Sequence, residues 1–277
     1  MLKMHFLNVG HGDCCIIEFP DSIAMVDINQ SKNLDDDSYK EIIDIMDEVH
    51  PEKKIKEKTK QCKDIECIKK VLLDADYDDT PQDPIKYIEK KNLKSIFRFI
   101  STHPHMDHYK GFGTLNETAS ISNLWIVKNN FGPNKSTKKS SRKSDWNSYK
   151  EFRDSKSITT KETKTSKNNV LRPMEKSSDD FYYSDAIKVL SPTPELLKLA
   201  EESKNANIMS YVLLIQYGPH KIVLGGDAEE ENWQYIYKNY PDIIKDVTVL
   251  KAPHHGRENG WEDEVMPYMN QYTRSYL

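Results

Sequence analysis

The chain has 277 residues, of which 37% are apolar and 30% are charged, and its formal net charge is −4. This length allows one large domain or two small ones, and the mildly acidic balance excludes a domain that binds nucleic acid through net charge alone. The N-terminal segment lacks the pattern of a signal peptide, and no apolar run reaches the roughly 20 residues of a membrane span. We therefore expect a cytoplasmic protein without membrane insertion.

The predicted elements begin with apolar strands and continue with a charged helical segment. Three strands are predicted at residues 4–9, 14–19 and 23–28. Residues 35–92 are then rich in charge, and their apolar side chains recur at helical spacing, which predicts a helical insertion. Its helices are predicted near residues 39–50, 64–74 and 85–91.

The second half of the chain alternates strands with helices and contains a polar stretch. A buried strand at 95–102 runs into a group of histidines, and a short strand follows at 124–127. Residues 134–169 are rich in Ser, Thr and Lys, which predicts an exposed, basic polar insertion. Further strands are predicted at 187–190, 211–217, 221–224 and 247–251, with a helix at 229–240. Strands in batches with helices between them are typical of sheets covered by helices, so we expect an α/β fold.

The four cysteines give no indication of a metal site or a disulfide framework. Cys14 and Cys15 are adjacent in a predicted strand, where neighbouring side chains point to opposite faces. Cys62 and Cys67 have no nearby histidine and lack the spacing of a zinc site. We expect all four to be reduced structural thiols.

The strongest chemical signal is the segment His103-Pro104-His105-Met106-Asp107-His108. Imidazole nitrogens and carboxylate oxygens are the ligands that a borderline-soft divalent ion prefers. Pro104 favours an extended backbone at His103, so His103 and His105 point the same way and can hold one ion. Asp107 and His108 lie just beyond and can face a second ion. An accidental group of surface histidines is a poor alternative directly after a buried strand.

Two further segments carry potential ligands at the ends of strands. Asp227 follows two glycines, which let the backbone approach closely, and an aspartate there can bridge two ions. Paired imidazoles follow the last strand at His254 and His255. Each segment alone is ambiguous, because a Gly-Gly-Asp at a strand end is usually a turn.

Together these segments resemble the metallo-β-lactamase superfamily, and within it the hydrolase domain of ComEC-type competence proteins and their stand-alone relatives. The resemblance spans residues 1 to about 260. It rests on six segments, in this order: Asn8-Val9-Gly10-His11-Gly12-Asp13, Val26-Asp27, the histidine segment, Asn207-Ile208-Met209-Ser210-Tyr211-Val212-Leu213, Gly226-Asp227 and His254-His255-Gly256.

The resemblance implies one domain over residues 1–277, an αββα sandwich with two divalent ions at an edge of its sheets, zinc being favoured over manganese. It implies that His103 and His105 bind the first ion, that Asp107 and His108 bind the second, and that Asp227 bridges them. One of His254 and His255 would complete the second site, and we favour His255 because it directly precedes the glycine. Asp13 and Asp27 would orient ligands, and Asn207 would line the site.

The chain also departs from the pattern of these relatives. No histidine lies between His108 and His220, where many of them carry a further ligand, and His220 sits in a predicted hairpin. His11, Asn29 and Arg257 stand where relatives commonly have Gln, Gly and Ser. The chain stops about twenty residues after His255, which suggests truncation or a protein partner that completes this region. These departures concern catalytic competence more than the fold.

The leading functional hypothesis is a phosphodiesterase or nuclease in which a metal-bridged hydroxide attacks phosphorus. Asp107 would orient the hydroxide, and whichever of His254 and His255 is not a ligand would assist the leaving oxygen. One alternative is a hydrolase of small esters, thioesters or lactams. Another is a metal-poor binding subunit without catalytic activity.

The basic insertion at 134–169 raises the possibility of a nucleic-acid or nucleotide substrate. Its eleven cationic residues face only four acidic ones, and Trp146, Tyr149 and Phe152 interleave with the charges. Cations can neutralise phosphates, and aromatic faces can stack on bases, so the segment could guide nucleic acid to the metals. The alternative is a solvated linker.

Overall fold

Two main β-sheets form the centre of the molecule, which is known from a computed structural model that describes residues 1–32, 34, 36–78, 80–133, 140–155, 169–171 and 186–269. The first sheet has six strands in the order β1-β2-β3-β5-β7-β8. They are β1 Lys3–Phe6, β2 Cys15–Glu18, β3 Ile23–Val26, β5 Ser95–Ser101, β7 Ser120–Ile126 and β8 Asn169–Leu171. The first three pair antiparallel, and β3, β5, β7 and β8 run parallel.

The second sheet has four strands in the order β12-β11-β10-β9. They are β9 Ile187–Ser191, β10 Val212–Tyr217, β11 His220–Leu224 and β12 Val249–Lys251. Only the β11–β12 pair is parallel. A separate two-residue pairing joins β4 Ile28–Asn29 to β6 Tyr109–Lys110.

The central strands of both main sheets bury apolar residues on both faces, since successive strand residues point to opposite sides. In β2, Ile17 belongs to a core shared with Val189 and Leu213 of the second sheet, so this face joins the two sheets. Its neighbour Ile16 packs instead into a core that contains helices. Val223 of the second sheet likewise packs into a separate core with a helix. The molecule is therefore a mixed α/β fold with helices against both sheets.

Ten α-helices lie in the part of the chain that the structure describes. They are α1 Asp36–Val49, α2 Ile55–Thr59, α3 Ile65–Asp74, α4 Pro84–Lys90, α5 Phe112–Thr118, α6 Ser140–Asp154, α7 Pro194–Ser203, α8 Glu230–Asn239, α9 Pro241–Ile244 and α10 Val265–Met269. None of these helices is long and apolar enough to cross a membrane.

The predicted helical insertion is confirmed, with one difference at its end. Helices α1–α3 have a small core of their own, which includes Tyr39, Ile55 and Leu72. The fourth helix, α4, belongs to the main body instead, because Ile85 and Ile88 pack against the first sheet. Asp83 and Pro84 define the start of α4, since the aspartate accepts from backbone N–H groups of the first turn and proline lacks the N–H that would be unpaired.

The prediction of an exposed polar insertion at 134–169 is wrong for its central part. Residues 140–154 form α6, and Trp146 and Tyr149 are buried in the core beneath the first sheet, with Phe152 packed against it. Their spacing of three residues places these aromatic rings on one helix face. The count of polar residues obscured this stripe. Residues 134–139 and 156–168 of the predicted insertion lie outside the described part of the chain.

The prediction of reduced thiols is wrong for one of the two pairs. Cys62 and Cys67 form a disulfide with a Cα–Cα distance of 5.3 Å. Asp64 caps α3 between them by accepting from the Cys67 backbone N–H, and the resulting turn brings the cysteines together. Cys14 and Cys15 are free and buried.

Candidate metal centre

The candidate ligands follow the ends of strands from both sheets. His103–His108 follow β5 of the first sheet, Asp227 follows β11 of the second, and His254 and His255 follow β12. The two sheets are in contact at this edge, because the Tyr211 backbone N–H donates to the Thr102 carbonyl at 3.1 Å. A Cβ at Gly226 would lie 3.0 Å from Thr102 Cβ, which leaves little room for a larger residue before Asp227.

Asp227 lies at the middle of these residues, and its two carboxylate oxygens face different histidines. Oδ1 is 3.1 Å from His108 Nε2 and 3.4 Å from His255 Nε2. Oδ2 is 3.4 Å from His103 Nε2 and 3.8 Å from His254 Nε2. A carboxylate in this position can serve two ions, one at each oxygen.

Three groups of side chains among the described residues could each hold a metal ion. Two of them share Asp227: the first group consists of His103, His105 and Asp227, and the second group consists of Asp107, His108, Asp227 and His255. The third consists of Asp13, Asp27 and His108. Within each group the potential ligand atoms lie within 4.8 Å of one another. The structure thus brings together all six residues that the sequence suggested as ligands.

The hydrogen bonding of these residues fits a bound cation. His103 Nε2, His108 Nε2, His255 Nε2 and Asp227 Oδ1 are buried, and none of them makes a hydrogen bond with any residue that the structure describes. Burying polar atoms without partners costs free energy, so such atoms need an explanation. Nitrogen and carboxylate donors converging in this way suit zinc or a similar divalent ion.

Asp27 holds the ring of His108 from behind. Its Oδ2 is 2.8 Å from His108 Nδ1, and its two oxygens also accept from the Thr102 N–H at 2.8 Å and the Thr102 hydroxyl at 2.7 Å. Asp27 has φ 56°, a left-handed conformation that ends β3 at Val26, two residues earlier than the sequence predicted, and turns the carboxylate toward Thr102. Such contacts fix the tautomer and orientation of a metal-binding imidazole.

Asp13 occupies the equivalent position behind His255. Its Oδ1 is 3.3 Å from His255 Nδ1 and 2.6 Å from Lys251 Nζ. Burial raises the pKa of Asp13, but Lys251 and His255 outweigh burial and hold that pKa below its ordinary value. The carboxylate therefore stays ionised beside the imidazole.

The N-terminal loop closes over the second group. Asn29 donates to the carbonyls of Val9 at 3.1 Å and His11 at 2.7 Å and so holds the N-terminal loop in place. His11 Nε2 lies 3.6 Å from Asp107 Oδ2, and its ring is 4.6 Å from that of His255. His11 thus lies beside the second group at its partly exposed side.

The protonation of the histidines differs between the two groups. Burial, reinforced by His103, lowers the pKa of His105 to about 3, so this ring is neutral and able to bind a cation. Burial also opposes charge on His255, but the neighbouring carboxylates of Asp107 and Asp13 raise its pKa to about 10. The pKa of His108 is likewise raised despite burial, through Asp227 and Asp27. A cation entering the second group must therefore displace protons.

His254 and His255 face different oxygens of Asp227, and both have left-handed backbones, with φ of 47° and 54°. Such conformations cost about 1–3 kcal/mol each for non-glycine residues and are concentrated at functional sites. His220, by contrast, is exposed at the start of β11, at the opposite end of that strand from Asp227.

Glu229 is a residue that the sequence did not indicate. Its Oε1 lies 3.6 Å from His254 Nδ1 and accepts from Asn207 Nδ2 at 2.8 Å. Asn207, predicted to line the site, thus holds the carboxylate of Glu229. The only sequence signal for Glu229 is its place two residues after Asp227.

No protein-family model matches this chain, and no curated protein matches it either.

Proposed function

We propose that this chain is a metal-dependent hydrolase of the metallo-β-lactamase fold that cleaves phosphodiester bonds. The observation that carries the proposal is the position of Asp227 between two sets of imidazoles whose nitrogens are buried without hydrogen-bond partners among the described residues. A centre of this kind is suited to two ions that share one carboxylate.

The fold is consistent with this proposal. Two sheets share one core, and helices pack on their outer faces, as an αββα sandwich requires. The candidate ligands come from the ends of β5, β11 and β12, so they lie at one edge of both sheets. We propose that residues 1–277 form one such domain, with α1–α3 as an insertion.

Two divalent ions held by these groups would lower the pKa of a water to about 7 and polarise the oxygen of the bond to be cleaved. Asp107 would orient that water, because its carboxylate is partly exposed and its Oδ2 lies 3.3 Å from His255 Nε2. Burial raises the pKa of Asp107, but His108 and His255 hold it below its ordinary value, so this group stays ionised and can accept a hydrogen bond from that water.

A protein nucleophile is not required for this reaction. The free thiols Cys14 and Cys15 are buried, and burial raises the pKa of both, which makes them unreactive. The preference for phosphodiesters over carbonyl compounds rests on the resemblance of the motifs to the competence branch. Esters, thioesters and lactams therefore remain the alternative substrates to compare with phosphodiesters.

The decisive experiment combines elemental analysis with hydrolysis of bis-p-nitrophenyl phosphate, DNA, RNA and a chromogenic lactam. We expect close to two zinc or manganese ions per chain and hydrolysis of the phosphodiesters. A protein with metal that cleaves only the lactam would replace this proposal with the carbonyl alternative. Absence of bound metal, even after addition of zinc, would favour a binding subunit.

Asp107→Ala should abolish phosphodiester hydrolysis without unfolding the protein. Substituting a residue that supports a metal ligand typically lowers metal affinity or activity by about 10- to 100-fold. Loss of a ligand itself should therefore lower kcat/KM by more than about 100-fold. Asp74→Ala, at an exposed position at the end of α3, is the matched control and should retain wild-type turnover. Wild-type turnover in Asp107→Ala would contradict the assignment of Asp107.

A further inference from the structure

The first group has one potential ligand fewer than the second. It offers His103, His105 and Asp227, whereas the second group offers four side chains. Both groups share Asp227, so the first has only two side chains of its own. A further imidazole cannot come from the sequence between His108 and His220, which contains no histidine.

His254 faces the oxygen of Asp227 that belongs to the first group. Its Nε2 is 3.8 Å from Asp227 Oδ2, and His103 Nε2 is 3.4 Å from the same oxygen. His255, one residue along the chain, faces Oδ1 instead. Two successive residues with left-handed backbones thus place one imidazole at each oxygen of the shared carboxylate.

Glu229 lies behind His254 as Asp27 lies behind His108. His254 Nδ1 is buried and makes no hydrogen bond within the described part of the chain, and Glu229 Oε1 is 3.6 Å from it. A metal-binding histidine almost always directs its second nitrogen to a carboxylate, a carbonyl or water. Glu229 is therefore placed to accept a hydrogen bond from the Nδ1–H group once Nε2 binds a cation.

Three asparagine amides hold the Glu229 carboxylate in this position. Asn207 and Asn259 donate to Oε1 at 2.8 and 2.7 Å, and Asn205 donates to Oε2 at 2.6 Å. Uncharged donors orient the carboxylate without neutralising it, so its negative charge remains available to His254. Asn205 and Asn207 come from one segment before β10, and Asn259 comes from the segment after the His254-His255 pair.

The segment that carries Asn259 also packs directly on His254. A Cβ at Gly260 would lie 2.7 Å from His254 Cβ and 2.8 Å from the Pro253 carbonyl oxygen. Only glycine permits so close an approach. The backbone at Gly260 is thus packed against His254 and helps to hold it in place.

We propose that His254 is the third imidazole of the first metal group and that Glu229, held by the three asparagines, is its positioning residue. This inference rests on the proposed function only in requiring a bound cation, and it does not depend on the substrate. It assigns both residues of the His254-His255 pair as ligands, one for each group.

The test is titration of the metal-free protein with Zn²⁺ in competition with a chelator, read as stoichiometry and affinity. His254→Gly is the main variant, because glycine adopts the left-handed backbone at this position without strain. We expect one of the two ions to bind with unchanged affinity and the affinity for the other to fall by more than about 100-fold. That loss exceeds the effect typical of a residue that only supports a metal ligand. His103→Ala combined with His254→Gly should also retain one ion, whereas His255→Ala combined with His254→Gly should weaken both.

Glu229→Gln should lower the affinity for one ion by about 10- to 100-fold and leave the affinity for the other unchanged. A general loss of stability would not produce this selective effect. Glu230→Gln is the matched control, since Glu230 is the exposed neighbour and should bind both ions normally. Two ions of wild-type affinity in folded His254→Gly would overturn the inference and leave the proposed function intact. Normal metal binding with no phosphodiester hydrolysis would overturn the proposed function and leave the inference standing.

Discussion

At the scale of single residues, the backbone conformation of Asp27 places its carboxylate against the ring of His108. Its left-handed backbone ends β3, and its carboxylate binds both Thr102 and the Nδ1 of His108. The sequence predicted that Asp27 orients a ligand only through resemblance, and it predicted an uninterrupted strand to residue 28. The turn at Asp27 depends on contacts with β5, which lies about 75 residues away in the sequence, as the Thr102 bond shows.

Asp27→Asn should weaken metal binding at the second group by about 10- to 100-fold, because the amide cannot supply the negative charge that supports His108. Asparagine tolerates the left-handed backbone, so the fold should be retained. The measurement is chelator competition on the metal-free protein, with Asp21→Asn in the exposed turn before β3 as the control. Equal zinc affinity in the two variants would show that Asp27 does not contribute to metal binding.

The potential ligands were predictable from sequence because most of them are neighbours along the chain. His103, His105, Asp107 and His108 share one segment, so their types and spacing identify them without any knowledge of the fold. Glu229 was not predictable in this way. Its role depends on Asn205, Asn207, Asn259 and His254, which only the tertiary structure brings to the same place.

At the scale of elements, strands with strong apolar patterns were predicted well, and α6 was not. Its polar composition hid an aromatic stripe that packs against Tyr109, where the Tyr149 ring is 4.4 Å away and stacked. The same packing bears on nucleic-acid binding. Trp146 and Tyr149 are buried and unable to stack on bases, so only the cationic side chains of this region remain candidates for phosphate contacts.

Trp146→Ala should lower the free energy of unfolding by about 3–5 kcal/mol, the usual cost of truncating a large buried aromatic side chain. Trp146 is only 8% exposed and lies against Tyr109, Tyr149 and the Arg153 guanidinium. Urea unfolding followed by circular dichroism gives the measurement.

Lys143→Ala is the matched control on the exposed side of the same helix and should change stability by less than about 0.5 kcal/mol. If Trp146→Ala were as stable as Lys143→Ala, α6 would be a surface insertion after all, as the composition of the sequence suggested.

At the scale of the whole molecule, the candidate centre exists only because two sheets meet at one edge. Sequence patterns gave the strands and the order of the motifs, but a strand pattern does not state which sheet a strand joins. The pairing of β11 with β12 and the contact of Tyr211 with Thr102 bring Asp227 and the His254-His255 pair to the histidines of the first sheet. A metal ion bound at this candidate centre would link the two halves of the fold.

Metal binding should therefore stabilise the entire molecule against unfolding. A ligand at 100 times its Kd adds about 2.7 kcal/mol per site when it binds only the folded state. Thermal melts with Zn²⁺ and with a chelator should differ accordingly, and the difference should shrink as pH falls, because protons compete with the ion for the histidines. Asp227→Ala should lose most of this metal-dependent increment, since it removes the ligand that both groups share. If zinc raised the melting temperature of Asp227→Ala as much as that of the wild type, the ions would be held elsewhere, and Asp227 would not join the two sheets through a metal centre.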